Sequence, residues 1–135
     1  MSTAVLLSIK PEFAFAIFRG DKRYEFRKVV FKNREVNKVY VYASAPVSRV
    51  IGVFYIDNIL EMEPKELWSL TCCGAGISEE FFYEYFSGKA RGYALSVEKT
   101  DLFDEPKELK YLFGIHHPPQ SFRYVANGAR SKTEF

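Results

Sequence analysis

The sequence predicts an α+β domain that is mainly β: a small curled sheet or barrel of about five to six strands with short helices packed around it. Three observations carry this. Runs of β-branched and aromatic residues alternate with period two, as in Lys38-Val39-Tyr40-Val41-Tyr42-Ala43-Ser44. Short helical stretches separate such runs, where a doubly wound parallel sheet needs regular helical crossovers. Finally, a chain of 135 residues that is 47% hydrophobic, with 13 Phe and 9 Tyr, fills one core without a disulfide.

The elements follow in order. Val5 to Ile9 is a short buried strand. Pro11 suits the first turn of a helix, Phe13 and Ile17 sit one turn apart, and Gly20 supplies the left-handed stop. A strand follows at about Arg23 to Lys28, then the alternating run from Lys38, which Pro46 ends. Val50 to Ile59 forms the next strand, with Gly52 a bulge or a point of close approach. Pro64 opens a helix to Leu70, and Cys72 to Gly76 is a loop of small residues. Ser78 caps a helix whose first turn holds Glu79 and Glu80 and whose buried stripe is Phe81/Tyr85 and Phe82/Phe86. Arg91 to Lys99 is a strand, Pro106 begins a short helix that ends near Gly114, and Ser121 to Val125 is the last strand. Residues 1–125 therefore form one domain, and 126–135 are expected to be a mobile tail.

Composition narrows the function classes. The apolar start, Ala4 to Leu7, is too short for a membrane span or a signal core. The only cysteines, Cys72 and Cys73, are adjacent, which is no disulfide framework and points to a reducing, cytoplasmic setting. With His116 and His117 they number four candidate zinc ligands, but adjacent ligands strain a tetrahedral site, so no metal is expected. Net charge is only +2, yet residues 19–38 carry eight Lys/Arg against three Asp/Glu, and 57–84 carry one Lys against seven acids. A local positive field of that kind attracts phosphate, although a solvated basic loop has the same composition.

Within the basic block lies Gly20-Asp21-Lys22-Arg23-Tyr24-Glu25-Phe26-Arg27. In an extended chain Arg23, Glu25 and Arg27 share one face, and Tyr24 and Phe26 the other. The aromatic face goes to the core, leaving two cations and a carboxylate for solvent or a ligand. Arg27 offers a planar fork for phosphate or a base edge, Lys22 a mobile point charge, and Glu25 an acceptor for an exocyclic amine. In a cleaving enzyme Lys22 stabilises charge at phosphorus and Glu25 is the base. The same residues also suit an ion-pair network closing the mouth of a barrel. Lys10 and Ser44 at strand ends, Ser121 before the last strand, and Tyr42 as a stacking surface complete the candidate ligand set.

These residues resemble the ASCH domain, a branch of the PUA-like β-barrel superfamily. Its signature, Gly-x-Lys-x-x-Glu-x-Arg after a strand and a helix, stands complete at Gly20, Lys22, Glu25 and Arg27. Pro119-Gln120-Ser121-Phe122-Arg123-Tyr124 is similar to the end of small prokaryotic members. The resemblance implies a barrel with a cleft lined by the signature residues and an RNA or nucleotide partner. It also implies a second class of activity, a hydrolase: a ribonuclease, or an amidohydrolase on modified nucleosides. The amidohydrolase branch has a threonine nucleophile where Glu25 stands, so that chemistry needs another hydroxyl, with Ser8, Ser44 and Ser121 at strand ends. A third class, a protein adaptor working through the acidic stretch, needs none of these groups.

Overall fold

A computed structural model describes residues 3–127. Eleven elements alternate along the chain, and six strands form one open mixed sheet in the order β2-β5-β4-β3-β1-β6. They are β1 (Thr3–Ile9), β2 (Tyr24–Arg27), β3 (Lys38–Ala43), β4 (Arg49–Met62), β5 (Gly92–Lys107) and β6 (Phe122–Ala126). The helices are α1 (Pro11–Arg19), α2 (Pro64–Thr71), α3 (Glu79–Tyr85) and α4 (Leu109–Phe113), with a 3₁₀ turn at Cys72–Gly74. This is the predicted element order. All pairings are antiparallel except β1 with β3, which run parallel with Val5 opposite Val39 and Ile9 opposite Ala43.

The parallel pair is buried on both faces, and that explains its unbroken apolar sequence. Val5, Leu7 and Ile9 join Val39, Val41, Ala43 and Phe54 in one core, on which Ala14 and Ile17 of α1 pack. Ala4, Leu6, Tyr40 and Tyr42 face the other way, beneath Leu109 and Leu112 of α4. A third cluster, Phe26, Leu67, Phe82, Phe86 and Ala94, lies under α2 and α3. Ser78 caps α3 through a hydrogen bond from the Phe81 N–H to its hydroxyl, at 3.0 Å.

Backbone ladders do not close the sheet; side chains bring its edges together. β2 and β3 follow one another in sequence but lie three places apart in the sheet, so residues 28–37 must cross the opening. Phe31 and Val36 anchor that crossing in the main core. Phe31 also packs edge-on against Phe122 and Tyr124 of the opposite edge strand, at ring-centroid distances of 5.9 and 6.4 Å. The Tyr124 hydroxyl accepts a hydrogen bond from the Asn33 N–H at 2.9 Å. The sheet is therefore rolled like a barrel, but it remains unzipped along one line.

Gly52 is both a register break and a point of close approach: a Cβ there would lie 2.6 Å from the Asp101 carbonyl oxygen and 2.9 Å from the Phe18 ring. Two expectations need correction. β5 runs on to Lys107, well past the expected end at Lys99, and Pro106 lies inside it rather than opening a helix. Between the pairs Val50–Lys107 and Gly52–Leu102 the ladder is irregular, so Pro106 occupies a stretch where a missing N–H costs no rung. Ala126 belongs to β6, opposite Thr3, so the domain extends past residue 125; the expectation of a mobile tail otherwise falls on residues 128–135, outside those described.

Phe31→Ala is expected to lower unfolding free energy by about 3–5 kcal/mol, read from urea denaturation. A loss under 1 kcal/mol would show that the crossing segment does not hold the edges together.

Candidate functional site

The unzipped line opens into a cleft of about 380 Å³. Its walls come from the end of β1 and start of α1 (Ser8, Ile9, Lys10, Phe13), from Lys22, Glu25, Phe26 and Arg27, from Ser44, and from Gln120 before β6. Ile77, Phe81 and Tyr85, in and before α3, complete it. A larger cavity of about 600 Å³ between α4 and β6 is lined by Lys110 and Arg123 and, among the described residues, by no acidic group.

Arg27 is the keystone of the cleft. Its Nη1 donates to Glu25 Oε2 at 3.0 Å and to the Ser8 carbonyl oxygen at 3.4 Å. Its Nη2 donates to the carbonyl oxygen and the hydroxyl of Ser121, at 3.2 and 3.1 Å. One guanidinium thus joins β2 to β1 and to the start of β6. Ser8 holds the same wall by donating its hydroxyl to the Pro119 carbonyl oxygen at 2.6 Å. The segment singled out from Pro119 to Tyr124 is therefore the far wall of the cleft and the strand behind it.

Lys22 is not the mobile surface charge expected of it. It is 3% exposed, and its Nζ donates to the carbonyl oxygens of Tyr24 at 2.6 Å and Ala75 at 3.2 Å. Glu25 Oε1 lies 3.8 Å away, and the ammonium stands over the rings of Phe26 and Phe13 at 4.7 and 5.8 Å. Burial pushes its pKa down; the negative charge of Glu25 opposes that shift, and Arg27 adds to it.

The glycine loop after α2 explains how a lysine comes to be buried here. Gly76 has φ 71°, and a Cβ on it would stand 2.6 Å from Lys22 Cβ. The Gly74 carbonyl accepts from the Arg23 N–H at 2.8 Å. The small residues of Cys72 to Gly76 let this loop lie flush on the chain entering β2. The thiols of Cys72 and Cys73 are exposed and free.

Of the sequence-chosen residues, Lys10, Lys22, Glu25, Arg27 and Ser44 line the cleft, and Ser121 binds Arg27. Arg23 and Tyr42 do not join them. Arg23 precedes β2 and its side chain runs along the glycine loop, outside the cleft lining. Tyr42 is 6% exposed and faces the α4 core, because alternation turns it away from Val41 and Ala43. The charged face of β2 is also less open than predicted: Glu25 is 5% exposed. The sequence pattern does not mark Ile9, Phe13, Phe26, Ile77, Phe81, Tyr85 or Gln120 as cleft residues. Phe81 and Tyr85 read as a helix stripe, and their i,i+4 spacing is the signal that they share a wall.

Tyr85 lies beside the ion array. Burial raises its pKa above the ordinary 10.0; Arg27 and a backbone hydrogen bond at Lys28 oppose the shift, and Glu25 reinforces it. Lys28 Nζ lies over its ring at 4.7 Å.

A rolled six-stranded sheet with a cationic cleft at its opening defines the class: a small PUA-like fold with a cleft between the sheet edges. The comparisons place the chain within that class. No family-wide sequence profile matches it. A protein of Zymomonas mobilis named an ASCH domain-containing ribonuclease is 31% identical over 125 residues, covering 89% of this chain and 82% of that protein. The crystal structure of ASCH from Zymomonas mobilis superposes with a TM-score of 0.83 at 29% identity, covering 96% of this chain and 90% of that one. The N-terminal domain of Staphylothermus marinus McrB, 14% identical with a TM-score of 0.50, covers 79% of this chain and 77% of its own and shares the fold alone. The chain belongs to the ASCH domain family.

No helix among the described residues is long and apolar enough to cross a membrane.

The Tyr85 shift gives a signed prediction. A phenol whose native pKa is raised contributes stability that is fully present below pH 10 and lost as pH rises through the native value. Tyr85→Phe should therefore lose less unfolding free energy than the wild type on going from below pH 10 to above it. Urea titrations on both sides of that pH measure it, and equal losses would contradict it.

Proposed function

We propose that this chain binds RNA or a nucleotide, as a cytoplasmic protein of RNA metabolism, and takes phosphate and base in the cleft around Lys22, Glu25 and Arg27. The observation that carries this reading is the charge of the cleft: Lys10, Lys22 and Arg27 line it against a single carboxylate, Glu25. With four N–H donors of Arg27 already bound to the protein and Lys22 buried, these two act as fixed positive charge rather than as grasping side chains. Lys10, exposed at the rim, is free to follow a phosphate, and Ser44 and Gln120 offer polar edges. A fixed cationic lining of low dielectric raises the local concentration of anions. The name of the Zymomonas relative supports RNA as the anion.

Turnover is the second reading, and two observations favour it. The 31% identical relative is named a ribonuclease, and the cleft sets a carboxylate, Glu25, 3.8 Å from the Lys22 ammonium, an acceptor for a proton beside a charge for phosphorus. In that reaction Glu25 takes the proton of a ribose 2′-hydroxyl as its oxygen attacks phosphorus, the Lys22 charge stabilises the phosphorane, and the bond to the 5′-oxygen breaks, leaving a 2′,3′-cyclic phosphate and a 5′-hydroxyl protonated from water. Glu25 stands 3.0 Å from Arg27 and 3.8 Å from Lys22, held in place by the wall of the cleft rather than free to follow a reacting hydroxyl. The geometry therefore favours recognition over cleavage.

Binding of single-stranded RNA should weaken linearly with the logarithm of salt concentration, by a slope of about 0.7 per phosphate neutralised. Lys10→Ala should reduce that slope by roughly one such step without unfolding the protein. A slope of zero would overturn the reading. For turnover, Lys22→Met should lower RNA cleavage by about 100-fold or more, and cleavage that survives would remove the site from the reaction.

A further inference from the structure

The cleft has an aromatic side that the ion array does not use. Phe81 lines it and is 37% exposed, so part of its ring faces the open cleft. Its ring rests against Phe13 at 5.4 Å with a 52° tilt, and Phe13 in turn lies 5.8 Å from the Lys22 ammonium. The ring of Phe81 is therefore propped from behind and partly open in front. Tyr85, one helical turn on, continues the same wall. Glu25 lines the same cleft, and its carboxylate has about four acceptor positions. Arg27 occupies one position on Oε2, the Lys22 ammonium stands 3.8 Å from Oε1, and Glu25 still lines the cleft.

We propose that the cleft holds one unpaired guanine nucleotide, its base stacked on Phe81 and its Watson–Crick edge turned to Glu25. This rests on the RNA-binding reading above and deepens it. The volume of about 380 Å³ is near the low end of small-molecule clefts and admits a single nucleotide, not a duplex. A base can be stacked on protein only when it has left its own stack, so the ligand is single-stranded or splayed out. The donor pattern selects the base. Guanine presents two adjacent donors, N1–H and N2–H, to one carboxylate. Uracil presents one N–H between two carbonyl oxygens, which meet the carboxylate with like charge. Cytosine and adenine each present an amine beside a ring acceptor. Lys10 at the rim then lies where a phosphate of the same nucleotide leaves the cleft.

The probes are 5′-GMP, 5′-UMP, a single-stranded oligoribonucleotide containing guanine, and the same oligonucleotide in duplex form. Wild-type protein should bind the single strand in preference to the duplex, and GMP at least 10-fold more tightly than UMP. Phe81→Ala should weaken single-strand binding by roughly 5- to 150-fold. Phe81→Trp should retain binding, and its added indole fluorescence should be quenched by GMP. That variant keeps the test open if Phe81→Ala fails to fold. Duplex binding as tight as single-strand binding, undiminished binding by Phe81→Ala, or an unquenched Phe81→Trp would overturn the stacking site while leaving an RNA-binding cleft in place. Equal affinity for GMP and UMP would overturn the role of Glu25. A wild-type protein that binds none of the four probes would overturn this proposal and the broader reading together.

Discussion

The guanidinium of Arg27 spans the gap that the backbone leaves open. In a closed barrel the first and last strands share hydrogen bonds along their length, and no edge remains. Here β2 and β6 are both edges, and beside the Phe31 packing the polar link between them is a planar cation whose donors divide between Glu25 on its own strand, Ser8 on β1 and Ser121 beside β6. Because the fork is rigid, the spacing of the edges is set by its size. A pair of backbone strands would have filled the space; a side-chain bridge leaves a cleft. The opening exists because the sheet is closed this way.

The other signature residues support that bridge. Glu25 orients the fork, Lys22 balances Glu25, and the glycine loop seals Lys22 from water. Such an arrangement gains little from charge pairing alone, since each ion gives up its hydration. Removing Glu25 leaves two buried cations without compensation, whereas removing Lys22 leaves the Glu25–Arg27 pair in place. The electrostatic character of the cleft follows: its positive charge is built into the wall, and a ligand meets it without having to order flexible side chains.

Much of this was legible in the chain. Period-two alternation marks β3, proline and glycine punctuate α1 and α2, and the eight residues from Gly20 to Arg27 announce an ion array on one strand. Local pattern fails where long-range pairing decides. Pro106 reads as a helix start because nothing nearby shows that β4 carries a register break opposite it. Tyr42 looks like a ligand surface because alternation tells which residues share a face, not which face is covered; α4, far along the chain, covers it. Phe81 and Tyr85 look like a core stripe for the same reason. The glycine loop was visible as small residues, but its purpose appears only when Lys22 is found beneath it.

The hydrogen bond from Ser8 to Pro119 joins residues 111 positions apart. The cleft is thus made by the two distant ends of the described chain. During synthesis β1 emerges early with both of its edges unpaired, and its partners arrive at residue 38 and, much later, at residue 122. Loop closure over such a span is slow compared with helix or hairpin formation. Growing or truncated chains could assemble β3, β4 and β5 yet have no far wall and no acceptor for one arm of Arg27. The cleft is thereby tied to completion of the chain through β6, and a nascent fragment lacks its far wall.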